Sequence, residues 1–381
     1  MLRLGNSLVS RHAGKLFLIG LAGVAAYNWR QWQRDKALLA RQKEPDPLPP
    51  LEDWPELPLV SVLVAAWNEA GTIERHIESF LSLRYPHKEL ILCAGGDDGT
   101  YGIAQRFASE QVVILRQEAG EGKQRALRRC LEQASGDIIF LTDADCLLDD
   151  DSFERTLAPI LCENEVVTTG ASRPLPEQRG DPFVLQQWFA SVYTRAHWGT
   201  HLDGILGRNV ALRREALEAA GAFQSEVPTG TDYHLAKKIL EQGYRIRHAP
   251  GSAVQTKYTA TFRHYQRQQT RWLRNVVLHG LRFGACREVI FALIPSVLGM
   301  LMLLGPLLAI LLGPFVLLGW VLAWAHTLMS RLRYFRFGEG AVGHPFPVEG
   351  YLRLPRYIFA DFVIWALTLP QYPLQSWRSR W

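Results

Sequence analysis

The sequence predicts an α/β domain built on a mostly parallel sheet and tethered to a membrane. Three observations predict it. Between residues 59 and 145, β-branched apolar runs alternate with helically spaced ones. The apolar runs end in glycine, asparagine or acidic residues, so polar groups collect at one edge of the expected sheet. From Val289 to Ala325, 37 residues pass without a charge. Strand–helix alternation at this pitch implies parallel strands covered on both faces.

Taken in chain order, the first element is an apolar stretch from Leu16 to Tyr27, preceded by Arg11 and Lys15 and followed by Asn28, Trp29 and Arg30. No small-residue cleavage site follows it, so residues 1–43 read as an uncleaved membrane anchor. "EPDPLPPLEDWPELP" (44–58) is a proline-rich, acidic linker. Strands are expected over 59–69 (LVSVLVAAWNE), 89–96 (ELILCAGG), 112–118 (VVILRQE) and 137–145 (DIIFLTDAD). Helices are expected between them, over 71–83, 100–110 and 122–134. The uncharged run after Val289 is long enough for two spans of roughly 20 residues. Gly305-Pro306 or Gly313-Pro314 would supply the break between them. A further apolar stretch, Tyr357 to Leu369, contains Asp361 and ends at Pro370; it either spans or lies flat.

Charge sets the orientation. Arg30, Arg34, Lys36, Arg41 and Lys43 outnumber Arg3, Arg11 and Lys15, and Arg331, Arg333 and Arg336 follow the paired spans. Both asymmetries put the large middle region on the cytoplasmic side of a multi-pass cell-membrane protein. The five cysteines form no CxxC pair, which fits reduced thiols better than a disulfide framework or a zinc site. The net charge of +5 is modest and concentrates near the apolar segments. It suits anionic headgroups or phosphates, and no nucleic-acid motif accompanies it.

The chemistry-bearing residues fall at the strand ends, where open α/β sheets bind ligands. Asn68-Glu69, Gly95 to Asp98 and Asp143 to Asp145 should gather there. In "TDADC", Asp143 and Asp145 end a buried strand and should point to the same side. Two hard oxygen donors on one side suit Mg²⁺ or Mn²⁺, with positions left for phosphate oxygens. A second pair, Asp149 and Asp151 in "DDDSFERTL", reads instead as the acidic start of a helix. Asp232, in "PTGTDYHLAKKILEQGYRI" (228–246), is either a helix cap or a site residue. Trp188, Phe189, Tyr193 and Trp198 recur at roughly helical spacing, as core packing or as the wall of an entrance.

These residues, with "DDGT", "GKQRAL", "GRNVALRREALEAAGAF" (207–223), "TDYHLAKKI" and the QxxRW set Gln268, Arg271 and Trp272, resemble the membrane-integrated branch of the family-2 glycosyltransferases. The resemblance covers residues 58–283 and implies a GT-A fold over 59–261. It implies that Asp143 and Asp145 hold a divalent metal, Mg²⁺ or Mn²⁺, on the diphosphate of a nucleotide-sugar donor. Asp232 would be the general base toward the acceptor hydroxyl. Gln268, Arg271 and Trp272, on interface helices over 262–284, would close over the diphosphate, and Lys123 would help hold the donor. Ala65 to Glu69, including Asn68, would line the nucleoside pocket, with Asp98 or its neighbour Asp97 near the base. UDP is the commonest donor nucleotide in the family, and the reaction inverts the anomeric carbon. Two positions depart from the pattern: Thr231 stands where Glu usually precedes the base, and glycine occupies the end of the second strand in "CAGGDDGT".

The chemistry asks for these residue types independently. A departing diphosphate needs a cation and a planar guanidinium. A hydroxyl nucleophile needs a carboxylate to take its proton. One anchor plus a hairpin and one further segment over 285–381 is thin for a polymer channel. The expectation is therefore transfer to a lipid acceptor at the cytoplasmic face, as in ceramide glucosyltransferase. The alternatives are a processive polysaccharide synthase acting on a glycan, and a membrane protein that binds nucleotide-sugar without turnover.

Overall fold

A computed structural model describes residues 2–41, 46–227 and 229–371, with backbone only for 2–13 and 368–371. Lys43, the first two residues of the linker, Pro228 and the tail 372–381 lie outside the described residues. The chain divides into two compact units. One holds the sheet, over 46–178 and 198–258; the other is helical, over 2–41, 179–197 and 259–371.

The chain starts with helix α1 (Leu2–Arg41). The sheet unit then opens with β1 (Val60–Trp67), α2 (Ile73–Leu81), β2 (Lys88–Gly95), α3 (Thr100–Gln105), β3 (Val112–Arg116), α4 (Gly122–Gln133) and β4 (Ile138–Leu141). These four strands pair in parallel in the order β3-β2-β1-β4. Side chains alternate across them with period two. Val60, Val62, Val64, Leu90, Leu92, Ile138 and Phe140 pack on one face with Ile73, Ile77 and Phe80 of α2. Leu63, Ile91, Cys93, Ile139 and Leu141 pack on the other with Ala126, Leu127 and Leu131 of α4.

Past β4 the sheet becomes mixed. The next elements are β5 (Cys146–Leu147), α5 (Asp150–Cys162) and β6 (Val167–Pro174), then α6 (Pro182–Arg195), which belongs to the helical unit. The sheet unit ends with β7 (His201–Leu202), β8 (Val210–Arg213), α7 (Arg214–Ala219), α8 (Thr231–Glu241) and β9 (Ile246–Thr256). β8 pairs antiparallel with both β4 and β6, while β6 pairs in parallel with β9. A buried side chain, Asn209, ties this half together. Its amide donates to the Ala171 carbonyl (3.0 Å) and to Ser252 Oγ (2.9 Å), and its oxygen accepts from Thr156 Oγ1 (2.9 Å). Asp149 caps α5 by accepting from the Ser152 amide at 2.9 Å, as expected of an acidic helix start.

In the helical unit follow α9 (Phe262–Arg282), α10 (Cys286–Leu312), α11 (Pro314–Val342), α12 (Val348–Leu352) and α13 (Leu354–Gln371). α10 and α11 are long and apolar enough to cross a membrane. The break between them falls at Gly313-Pro314, while Pro306 stays inside α10. The Asn28 amide of α1 donates to His326 Nδ1 of α11 at 3.1 Å, and its oxygen accepts from Ser330 Oγ at 3.2 Å. Asp361 of α13 is buried; it accepts from Tyr265 of α9 (3.1 Å) and pairs with Arg331 of α11 (2.6 Å). The buried positions of α9 are Asn275, His279 and Gly280, while Phe262 and Trp272 are exposed, because neighbouring α10 and α13 cover that side of the helix. α6 contributes core aromatics: Phe189 packs on Phe335 and Phe346, and Tyr193 stacks on Tyr334 with centroids 4.0 Å apart.

Phe140 is fully buried between the sheet and Phe153, with ring centroids 4.7 Å apart. Phe140→Ala should cost the sheet unit about 3–5 kcal/mol of stability, to be read as a lowered denaturation midpoint.

Candidate active site

The site is built on the turn after β4. The sequence suggests that Asp143 and Asp145 extend the strand, but β4 ends at Leu141. The Cys146 amide donates to the Asp143 carbonyl at 3.0 Å and closes a tight turn. Here β5 leaves to pair with β9, so the ladder with β1 cannot continue. The carboxylates therefore project from a turn and not from alternate strand positions.

Lys123, in the first turn of α4, reaches over this turn. Its Nζ donates to Asp143 Oδ1 at 2.6 Å and lies 3.8 Å from Asp232 Oδ1. Arg208 comes from the other side: its Nε lies 3.7 Å from Asp143 Oδ2, and its Nη1 donates to Thr256 Oγ1 at 3.1 Å. Thr256 Oγ1 in turn donates to Asp145 Oδ1 at 3.2 Å. Burial pushes the Asp145 carboxyl up despite Arg208 beside it. Burial opposes the charge on Lys123 and Arg208 too, but the carboxylates prevail and hold both above their ordinary values.

Asp232 is the second residue of α8. Gly230, in the left-handed region, stands at the cap position, so the aspartate does no capping. Its side chain is 46% exposed, far more open than Lys123 at 21%. Gly207 makes room for it, because a Cβ there would collide with the Asp232 carboxylate.

The second strand end forms a linked pair of loops. Asn68 adopts a left-handed conformation (φ 59°), which asparagine tolerates, and accepts from the Asp97 amide at 2.9 Å. Gly96 lies under the Asn68 amide, where a Cβ would overlap it. Asp98 is occupied by its own loop: it accepts from the Thr100 amide (3.0 Å) and hydroxyl (2.5 Å) and from the Ala70 amide (2.9 Å). Those bonds hold its carboxyl below the ordinary range, outweighing slight burial. Glu69 is pushed up to about 7 by burial and by the charge of Asp145, with Asp143 adding to it. Ala65 lies within β1, opposite Cys93, short of the strand end.

Thus Asn68, Glu69, Asp98, Lys123, Asp143, Asp145 and Asp232 all belong to the carboxyl-end side of the sheet unit. Gln268, Arg271 and Trp272 stand on α9 of the helical unit, with Trp272 exposed. Arg208, Thr256 and Gly207 carry no mark of a site role in the sequence. Gly207 and Arg208 open the segment "GRNVALRREALEAAGAF", yet nothing in its spacing points back to Asp143.

The donor set fits a divalent cation. Among the described residues no cluster of three or more protein ligands forms. Two aspartates at one turn supply hard oxygens, and the carboxyl of Asp145 is raised by desolvation, with Asp143 adding to it against Arg208. Such a pair suits Mg²⁺ or Mn²⁺ when phosphate oxygens complete the shell.

Comparison with known proteins decides the family. The profile described as glycosyltransferase like family 2 matches residues 56–275, more than half of the chain. The chain belongs to glycosyltransferase family 2. It is similar to glycosyltransferase AglE of Haloferax volcanii, 28% identical over 204 residues, or 51% of this chain and 65% of that protein. It is also similar to a poly-beta-1,6-N-acetyl-D-glucosamine synthase of Staphylococcus epidermidis, 26% identical over 223 residues, or 56% of this chain and 53% of that one. The chain thus spans about half to two thirds of the length of these relatives. In fold it matches the mannosyltransferase PcManGT from Pyrobaculum calidifontis, solved in complex with GDP-Man and Mn²⁺. The TM-score is 0.54 at 20% identity, covering 95% of this chain and 99% of that one. The sheet unit is accordingly a GT-A domain.

Two outcomes test this geometry. Glu69 keeps its proton to about pH 7 when folded, against an ordinary value of 4.5. The unfolded chain therefore ionises first, and stability should fall as pH rises from 4.5 to about 7. Melting temperatures of metal-free protein should show that slope, and Glu69→Gln should flatten it. Gly207→Ala should displace the Asp232 carboxylate and cut turnover at least about tenfold, with melting changed by only a few degrees.

Proposed function

We propose that this glycosyltransferase moves a sugar from a nucleotide-sugar, a UDP-sugar first, to a lipid hydroxyl at the cytoplasmic face of the cell membrane. The observation that carries the reading is the position of Lys123, whose single ammonium faces both Asp143 and Asp232. It makes neighbours of a carboxylate suited to the donor and one suited to the acceptor. Asp232, half exposed, takes the acceptor proton as its oxygen attacks the anomeric carbon. The bond from that carbon to the diphosphate oxygen breaks, and attack from the opposite face inverts the centre. Lys123 and Arg208 meet the charge left on the diphosphate, where preorganised cations lower the barrier. Asp143 and Asp145 are the residues that would hold Mg²⁺ or Mn²⁺, which when bound supplies further neutralisation of the leaving group. Gln268, Arg271 and Trp272 take the donor-closing role that the family resemblance assigns them. Asn68 and Glu69 line the nucleoside side.

Membrane attachment is supported by α10 and α11 and by the basic residues that follow α1's apolar stretch. A polysaccharide product is the second reading, favoured by the staphylococcal relative named as a synthase. Purified protein incubated with UDP- and GDP-sugars, Mn²⁺ and membrane lipid should release nucleotide diphosphate and yield an organic-soluble product. Long water-soluble polymer would support the second reading instead, and no release with any donor would remove both. Asp232→Asn should lower turnover by about 10²–10⁴, the usual share of a general base, while nucleotide binding persists.

A further inference from the structure

The carboxylates at the turn after β4 already have internal counter-ions. Asp143 Oδ1 accepts from Lys123 Nζ at 2.6 Å, and Asp143 Oδ2 faces Arg208 Nε at 3.7 Å. Arg208 acts on Asp145 as well, and Asp145 Oδ1 is further engaged by Thr256 Oγ1 at 3.2 Å. Both cations are largely enclosed, with side chains 21% and 17% exposed, so solvent screens them weakly. Two carboxylates thus face two fixed positive charges.

From this we infer that Lys123 and Arg208 close the Asp143/Asp145 pair to a bare divalent cation, so that the metal enters together with the nucleotide diphosphate. The inference rests on the donor-binding reading of the site. A bare Mn²⁺ brings two positive charges to within a few ångströms of an ammonium and a guanidinium. At that range in a partly enclosed site, like charges repel by several kcal/mol. The diphosphate brings at least two compensating negative charges and gives both cations a new partner. Lys123 would then exchange Asp143 for a phosphate oxygen, leaving Asp143 and Asp145 as the residues that would hold the ion. Lys123 also sits 3.8 Å from Asp232, so the same exchange changes the charge beside the proposed base only once donor has bound.

The test measures Mn²⁺ binding to the full-length purified chain, by paramagnetic resonance of free Mn²⁺ and by calorimetry, without nucleotide and with UDP or GDP. The wild-type chain should bind Mn²⁺ at least about tenfold more weakly alone than with nucleotide. Lys123→Met should tighten binding of Mn²⁺ alone by about tenfold while weakening the nucleotide-dependent binding, and Lys123→Arg should keep the wild-type order. Arg208→Met gives the same contrast independently, should Lys123→Met not fold. Equal Mn²⁺ affinity with and without nucleotide, or no tightening in either Met variant, overturns the counter-ion role and leaves glycosyl transfer standing. Absence of Mn²⁺ binding in every chain under every condition overturns the donor-site reading itself.

Discussion

One ammonium group organises the site. Lys123 is held by burial where its charge cannot be left alone, and it draws Asp143 from the turn after β4 toward Asp232 at the start of α8. The strand stops at Leu141, the turn closes at Cys146, and Gly207 withdraws to let the second carboxylate approach. A cation so enclosed is stable only with partners, and the turn that β5 imposes by pairing with β9 presents Asp143 as one of them. The Asn209 network supplies the rigid floor beneath, joining the strands that deliver Arg208 and Thr256.

The parallel half of the sheet was legible in the sequence because burial on both faces leaves a plain trace, a β-branched run closed by glycine or acid. β1, β2 and β3 follow the expected runs closely. The mixed half left a fainter trace. β5 and β7 have two residues each, too short for any periodicity to register, and β8 is joined to β4 by antiparallel pairing across a long stretch of chain. The expected helix over 100–110 shortens to α3, ending at Gln105, since Ser109 and Val112 close a turn of their own by exchanging backbone bonds.

At the site, residues recognisable by type were found and residues defined by their surroundings were missed. Asp143 and Asp145 stand out as a pair after an apolar run. Arg208 carries no such mark, for a guanidinium in a loop looks the same whether it meets solvent or a buried carboxylate. Asp98 shows the converse: it looks available for a nucleobase, yet its oxygens are already taken up by Thr100 and Ala70. Glu69 reads as an ordinary acid until the charges near it are known.

Gly207 has a broader consequence. A search for chemistry tracks donor atoms, acceptor atoms and charge, and it passes over a position that offers only a hydrogen. Here the vacant volume is itself a component, as specific as the carboxylate it accommodates. Any larger side chain at 207 would leave the full inventory of reactive groups in place and still remove their registration. Relatives that keep every acid but fill this position would be silent copies of the fold, and the glycine, not the acids, would tell them apart.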